Sequence, residues 1–367
     1  MSFADAFKDV KSAADIPQEL AQCMFAGGGF LILKDFPIGG EFGIDYKSWN
    51  VAEKFLGVKM IPPGVHFIYC SVKGTPRIGF FHTFKAGEIV IKRWDTKDED
   101  FANEEASQEE IDRIRANLRN IDRNLGPYPF ENYRSWFALT QHVNESTVRR
   151  LHPLKGRITA QAELVSMETS IMENQELNEN VRASNSVDRE NPKRIRFVDT
   201  SGLPIMKIRE GYEIRFVEFP QLTTTSRVGV DHSQQLCLLL NKLGNDWKKL
   251  IEEVEFSFVC FLIGQVFEGF EQWKRFIHLL CCCPSSFATL NDLYIAFIRV
   301  LFFQLKECPK DFFIDIVSRD NFLTTTLSML FANIRDSDIA SAELKKKSLQ
   351  FKTYLTQQFK WDFECDD

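Results

Sequence analysis

The chain has 367 residues, 44% hydrophobic and 26% charged, which excludes wholesale disorder and suits about two domains. Lys plus Arg total 45 against 51 Asp plus Glu. The formal charge of −6 speaks against a general nucleic-acid binder, whose affinity rests on cations displacing counterions from phosphates.

Met1 to Gln22 holds no apolar stretch long enough for a secretory core and carries Asp5, Asp9, Asp15 and Glu19. The nine Cys follow no disulfide spacing, so the expectation is a reduced, intracellular protein. From Ala21 to about Trp94, short apolar or alternating runs (Phe30–Leu33, Val65–Tyr69, Ile78–Phe81, Ile89–Ile91) predict strands. Gly27-Gly28-Gly29, Gly39-Gly40, Pro62-Pro63-Gly64 and Gly87 punctuate them as turns, which predicts an antiparallel sheet or sandwich. Asp95 to Asp112 then places nine acidic residues against one Lys and reads as a solvated acidic loop. Ile111, Ile114, Leu118, Ile121 and Leu125 predict an amphipathic helix stopped by Gly126-Pro127. A second helical stretch is expected over 131–151, so the first domain, 21–152, is α+β.

The segment 153–228 reads as a linker, largely mobile at 166–204, where Phe197 is the single aromatic residue. Within it, Tyr212 to Val217 alternates like a strand. Helical spacing dominates 229–363: Phe256, Val259, Ile263, Val266 and Phe270, then Leu293, Phe297 and Val300, then Leu344, Leu349 and Leu355. An all-α domain is expected there. Its most apolar run, Phe256 to Phe267, has 12 uncharged residues, short of the roughly 18 to 20 that cross a bilayer.

Motifs of catalysis are missing: there is no spaced-glycine nucleotide loop, no Gly-x-Ser-x-Gly elbow and no His-Glu-x-x-His pair. Cys281-Cys282-Cys283 on a helix project about 100° apart and do not converge on one ion. His66 and His278 read as core residues. Neither a metal nor a cofactor is expected. Two other classes stay open: a hydrolase with a Cys or Ser, His and acid site assembled in space, and RNA binding by a patch with Lys193, Arg194 and Arg196.

What distinguishes the sequence is a set of stiff aromatic, Met and Pro clusters beside isolated charges, the composition of interface anchors. Phe42, Asp45, Tyr46 and Trp49 form one, and Met60, Pro62 and Pro63 a second. Phe312, Asp315, Arg319 and Asp320 form a third, and Trp361 stands near the end. Thr224 and Ser226, in a Thr-rich run, are candidate phosphosites.

These runs, with Arg77-Ile78-Gly79-Phe80-Phe81, Arg93-Trp94, Leu125-Gly126-Pro127-Tyr128-Pro129, Glu213-Ile214-Arg215-Phe216 and Trp273-Lys274-Arg275, resemble the splicing-factor AAR-two family. The resemblance covers 21–363 and implies a β-sandwich-like N-terminal domain and a C-terminal helical domain similar to the VHS fold. It further implies a non-enzymatic assembly factor of the U5 small nuclear ribonucleoprotein, in cytoplasm and nucleus. Such a factor binds the RNase H-like and Jab-one/MPN domains of the large U5 core protein, pre-mRNA-processing factor eight, and holds off helicase and RNA contacts. The family's tail beyond the helical domain, which adds a strand between partner domains, has only Glu364 to Asp367 to match it here. The partner is therefore expected between the two domains or on the linker.

Overall fold

The computed structural model describes residues 17–102, 104–162, 164–166, 206–220, 231–308 and 322–363. The N-terminal part is β-rich and the C-terminal part helical, the α+β arrangement expected from the sequence. It begins with helix α1 (Gln18–Gly27). The first sheet contains β1 (Gly29–Lys34), β4 (Gly57–Ile61), β7 (Ile89–Asp95), β8 (Asp100–Phe101) and β9 (Leu125–Pro127), in the order β8-β7-β1-β4-β9. It is mixed, not antiparallel as expected, because β1 runs parallel to β7 and β4 parallel to β9. Helix α2 (Gln108–Ile121) lies between β8 and β9 in sequence and gives the chain the length to return in the same direction. The second sheet, β10-β6-β5-β2-β3, is antiparallel throughout: β2 (Glu41–Ile44), β3 (Lys47–Asn50), β5 (Gly64–Ser71), β6 (Ile78–Phe84) and β10 (Ile158–Thr159).

Side-chain alternation stacks these layers. Leu31 and Leu33 of β1 meet Phe42, Ile44, Ile68 and Phe80 of the second sheet in a shared core. Their neighbours Phe30 and Ile32 point the other way, against Ile111, Ile114 and Leu118 of α2. On the second sheet, Phe67, Tyr69 and Phe81 face away from the first and pack on Phe256, Val259 and Cys260. Close approach explains two glycines, Gly28, which reads as part of a turn, and Gly57 in β4. A Cβ on Gly28 would lie 2.6 Å from the Met24 carbonyl oxygen, and one on Gly57, at φ +141°, would lie 1.9 Å from that of Leu31. Pro62 and Pro63 fall in the connection between β4 and β5, where missing N–H donors cost nothing.

Other expectations are corrected. Among the expected anionic loop's residues, Asp100 is buried and ion-paired with Arg157, while Glu110 pairs with Lys34 and Arg93. The helix ends at Ile121, and Leu125–Pro127 is an edge strand. The stretch 131–151 is two short helices, α3 (Tyr133–Leu139) and α4 (Glu145–Leu151), the latter capped by Asn144. Tyr212 to Val217 is not a strand; the strand there is β12 (Met206–Ile208), paired with β11 (Leu164–Ser166). Ile158 and Ile214 are core residues, so the described parts of the expected linker are packed. Of the stretch 166–204 expected to be mobile, Ser166 belongs to β11, and 167–204 lies outside the described residues.

The helical part contains, among the described residues, α5 (Ser233–Lys242), α6 (Trp247–Leu262), α7 (Phe267–Cys281), α8 (Asn291–Glu307), α9 (Phe322–Asp336) and α10 (Ala342–Phe359). No described helix is long and apolar enough to cross a membrane. The apolar run from Phe256 has another cause: α6 is buried on both sides. Phe256 and Val259 face the second sheet, whereas Leu250, Ile251, Val254 and Phe258 face the helical core.

Three carboxylates of α6 are carried into this interior, and residues from outside the helical part supply their partners. Arg150 reaches Glu252 at 3.0 Å and also pairs with Glu253. Glu253 accepts the Val217 N–H at 2.9 Å. Glu255 accepts from the backbone N–H of His142 (2.8 Å) and Val143 (3.2 Å), and His142 Nδ1 lies 2.7 Å from it. Burial pushes both the Glu253 and Glu255 carboxyls above their usual range, and these partners oppose the shift. Arg77 adds a bond to the Ile263 carbonyl at 2.7 Å, and Phe81 stacks on Phe256 at 4.3 Å. The β-rich and helical parts therefore share an apolar interior along this face of α6. Arg150→Met, which strands Glu253, is expected to lower the unfolding free energy by about 3–5 kcal/mol in urea titrations. Arg150→Met combined with Glu253→Gln is expected to recover part of that loss.

Candidate protein-docking site

The interface anchors expected from the sequence divide by burial. Phe42, Asp45, Met60, Pro62 and Trp361 are buried and offer no surface, so their assignment as partner contacts is corrected. Phe42 fills the core between the sheets, edge-on to Phe36 at 6.3 Å. Trp361 stacks on Phe359 at 5.1 Å. Pro63 is exposed, and Tyr46 and Trp49 are partly exposed. The Tyr46 hydroxyl makes no hydrogen bond among the described residues, and burial, with Glu307 next in weight, pushes its pKa up. Phe312, Asp315, Arg319, Asp320, Thr224 and Ser226 lie outside the described residues, as do Lys193, Arg194 and Arg196.

Asp45 has a structural part to play. Asp45 and Tyr46 form the two-residue turn of the β2–β3 hairpin, with Asp45 at φ +53°, a conformation Asp tolerates better than most residues. One carboxylate oxygen accepts the Phe67 N–H at 2.9 Å. The other accepts the Tyr128 hydroxyl at 2.6 Å and lies 2.6 Å from His66 Nδ1. His66 Nε2 donates to the Pro62 carbonyl at 2.8 Å, and its ring lies 6.2 Å from that of Trp136, nearly parallel. The Trp136 indole N–H in turn donates to the Val65 carbonyl at 2.8 Å. Asp45, His66 and Tyr128 are fully or almost fully enclosed. The triangle ties the hairpin, β5 and the segment after β9 together.

The buried cysteines behave as small apolar side chains. Cys260, Cys281 and Cys283 are buried, and burial pushes their thiols up. Even Cys282 is pushed up to about 11, so none of these four is an activated nucleophile. Among the described residues no group of His, Cys, Asp and Glu converges on a metal position.

A largely apolar groove of about 600 Å³ lies on the helical part, between α8 and α10. Helix α8 turns Leu293, Phe297, Val300 and Leu301 into the core, while Phe302 and Phe303 fall off that stripe and stand half-exposed. Phe302 packs on Tyr354 at 4.6 Å and on Phe303 at 5.3 Å. Ile295, Ala296 and Trp247 extend the apolar lining, and Asp292, Arg299 and Lys347 place charges on it. His142, bound to Glu255, joins the groove to the domain junction. Semi-rigid aromatic area rimmed by charge is suited to holding protein side chains. The sequence carried one signal for this surface, an adjacent Phe pair outside the buried spacing of its own helix. Leu349, expected in the core, is also outside its stripe and 65% exposed. The buried positions of α10 are Leu344, Ser348, Phe351 and Leu355.

Two family descriptions match the chain. The AAR2 N-terminal domain matches residues 27–153, and the AAR2 C-terminal repeat region matches residues 217–364. The chain is 61% identical over 353 residues to the Protein AAR2 homolog of Caenorhabditis elegans, across 96% of this chain and 99% of that one. It is 37% identical over 371 residues to the Protein AAR2 homolog of Homo sapiens, across 97% and 95% respectively. The Mus musculus protein of that name is likewise 37% identical, over 372 residues.

Asp45→Asn removes the charge that the enclosed His66 and Tyr128 share. The expected loss is about 3 kcal/mol of unfolding free energy, read by chemical denaturation. An unchanged midpoint would mean that the triangle contributes nothing to the fold.

Proposed function

This chain belongs to the AAR2 family, and from that membership we propose that it is an assembly factor of the U5 small nuclear ribonucleoprotein in pre-mRNA splicing. It acts by covering a protein surface, with no catalysis of its own, in the cytoplasm and the nucleus. Its partner is the large U5 core protein, pre-mRNA-processing factor eight, held through the RNase H-like and Jab-one/MPN domains until helicase and RNA are admitted. The reading rests on family matches that run through both halves of the chain.

One observation in the structure supports a covering role: a charged, aromatic groove of about 600 Å³ on a body whose two parts share one interior. Such a surface is already in place before the partner arrives, so little conformational entropy is lost on contact. Net negative charge suits a molecule that screens a basic, RNA-binding partner from RNA.

Full-length chain mixed with the isolated RNase H-like domain at micromolar concentration is expected to comigrate on gel filtration. Phe302→Glu and Arg299→Glu are each expected to weaken that complex about tenfold or more, with the melting temperature held. Failure of the wild-type proteins to comigrate overturns the proposal. Binding untouched by both substitutions places the contact on another face.

A further inference from the structure

A second opening lies at the domain junction, where the strand edge of one part meets a helix start of the other. Strand β10 ends the second sheet and pairs with β6 alone among the described residues. Beside it is a recess of about 300 Å³, at the small end of ligand pockets and suited to one or two side chains. Its floor is Ile214 and Val266, both core residues, and its rim is Leu164 and Phe267, which are 53% and 68% exposed. Among the described residues, nothing covers these two large apolar side chains at the mouth of one small cavity, next to a strand end.

The recess also contains a charge without a counter-charge. Glu268, in the first turn of α7, lines it. The Ile214 N–H donates to the Glu268 carboxylate, and the Glu213 carboxylate repels it. On α6, the other element facing it, the nearby titratable group is the buried Cys260 thiol. No cation acts on Glu268 from any described neighbour. The guanidinium of Arg157, beside the lining Tyr212, is committed to Asp100 and to the Tyr212 ring and hydroxyl. A carboxylate in an apolar recess is best satisfied by a cation arriving with apolar surface.

We propose that this recess docks an extended protein segment as an added strand on β10, with an apolar side chain on the Ile214–Val266 floor and a neighbouring Lys or Arg against Glu268. The backbone of the segment takes up the free N–H and C=O groups of the edge, and the two side chains provide selectivity. The site is independent of the groove between α8 and α10 and of the U5 reading. Burial raises the Glu268 carboxyl from 4.5 to about 7. Its contribution to stability is therefore fully present below pH 4.5 and lost as pH rises through 7, and a bound cation favours the ionised form. Affinity for a basic segment then increases with pH over that range.

The probe is a random peptide library displayed on phage and selected on the full-length chain, with the enriched peptides synthesised and titrated. Enriched peptides are expected to carry Lys or Arg within two positions of an apolar residue. They are expected to bind about tenfold more weakly to Glu268→Gln, and also to Ala162→Trp, which fills the recess from an exposed position. They are also expected to slow amide exchange at Thr159. In the free protein, Glu268→Gln flattens the fall in melting temperature between pH 4.5 and about 7. The proposal is overturned if the library yields no binder or if the enriched peptides are acidic. Equal binding to wild type and both variants overturns it too. It fails likewise if the chain dimerises in sedimentation and Ala162→Trp abolishes the dimer, since the occupant is then a second copy.

Discussion

A carboxylate taken out of water must be met by donors or by a cation, and α6 takes three of them inside within four residues. Glu252, Glu253 and Glu255 lie on a helix that is buried on both sides, so no turn of it can return them to solvent. Their partners, Arg150, His142 and the N–H groups of Val143 and Val217, all come from outside the helical part. The β-rich and helical parts are thereby locked in one relation. An apolar joint alone permits sliding; directional bonds to buried charges fix register as well as contact.

This constraint bears on how the molecule meets others. A partner therefore meets surfaces held at fixed mutual positions. The groove with Phe302 and Phe303 and the recess with Glu268 are two such surfaces, on different elements of the same rigid body. Each combines apolar area that needs little ordering with a charge that discriminates. A multidomain partner held at two separated points gains from that rigidity, because the second contact becomes intramolecular.

The family signature in this sequence serves the fold more than the surface. Asp45, His66 and Tyr128 come from three separate motifs and close into one buried triangle. Phe42, Met60 and Pro62, which read as exposed anchors, are beside it or in the same inter-sheet core. Aromatic and Pro clusters have the same composition in a core as at an interface, since both demand area with few rotamers. Composition could not distinguish the two. Burial does.

The strands at Phe30, Val65, Ile78 and Ile89, helix α2 and the helical character after residue 230 were all legible, because period-two and period-3.6 spacing are local properties of the chain. Short strands β2 and β3 were not, since four residues around Asp45-Tyr46 hold too little pattern to register. Nor could spacing reveal that β1 lies beside β7, that Arg150 meets Glu253, or that Glu268 faces no cation among the described residues, because these depend on residues brought together from distant positions. The linear pattern determined which segments bury a face and with what period. Only the packed structure decided which faces meet, which charges are neutralised in the process, and which apolar side chains are left over for other molecules.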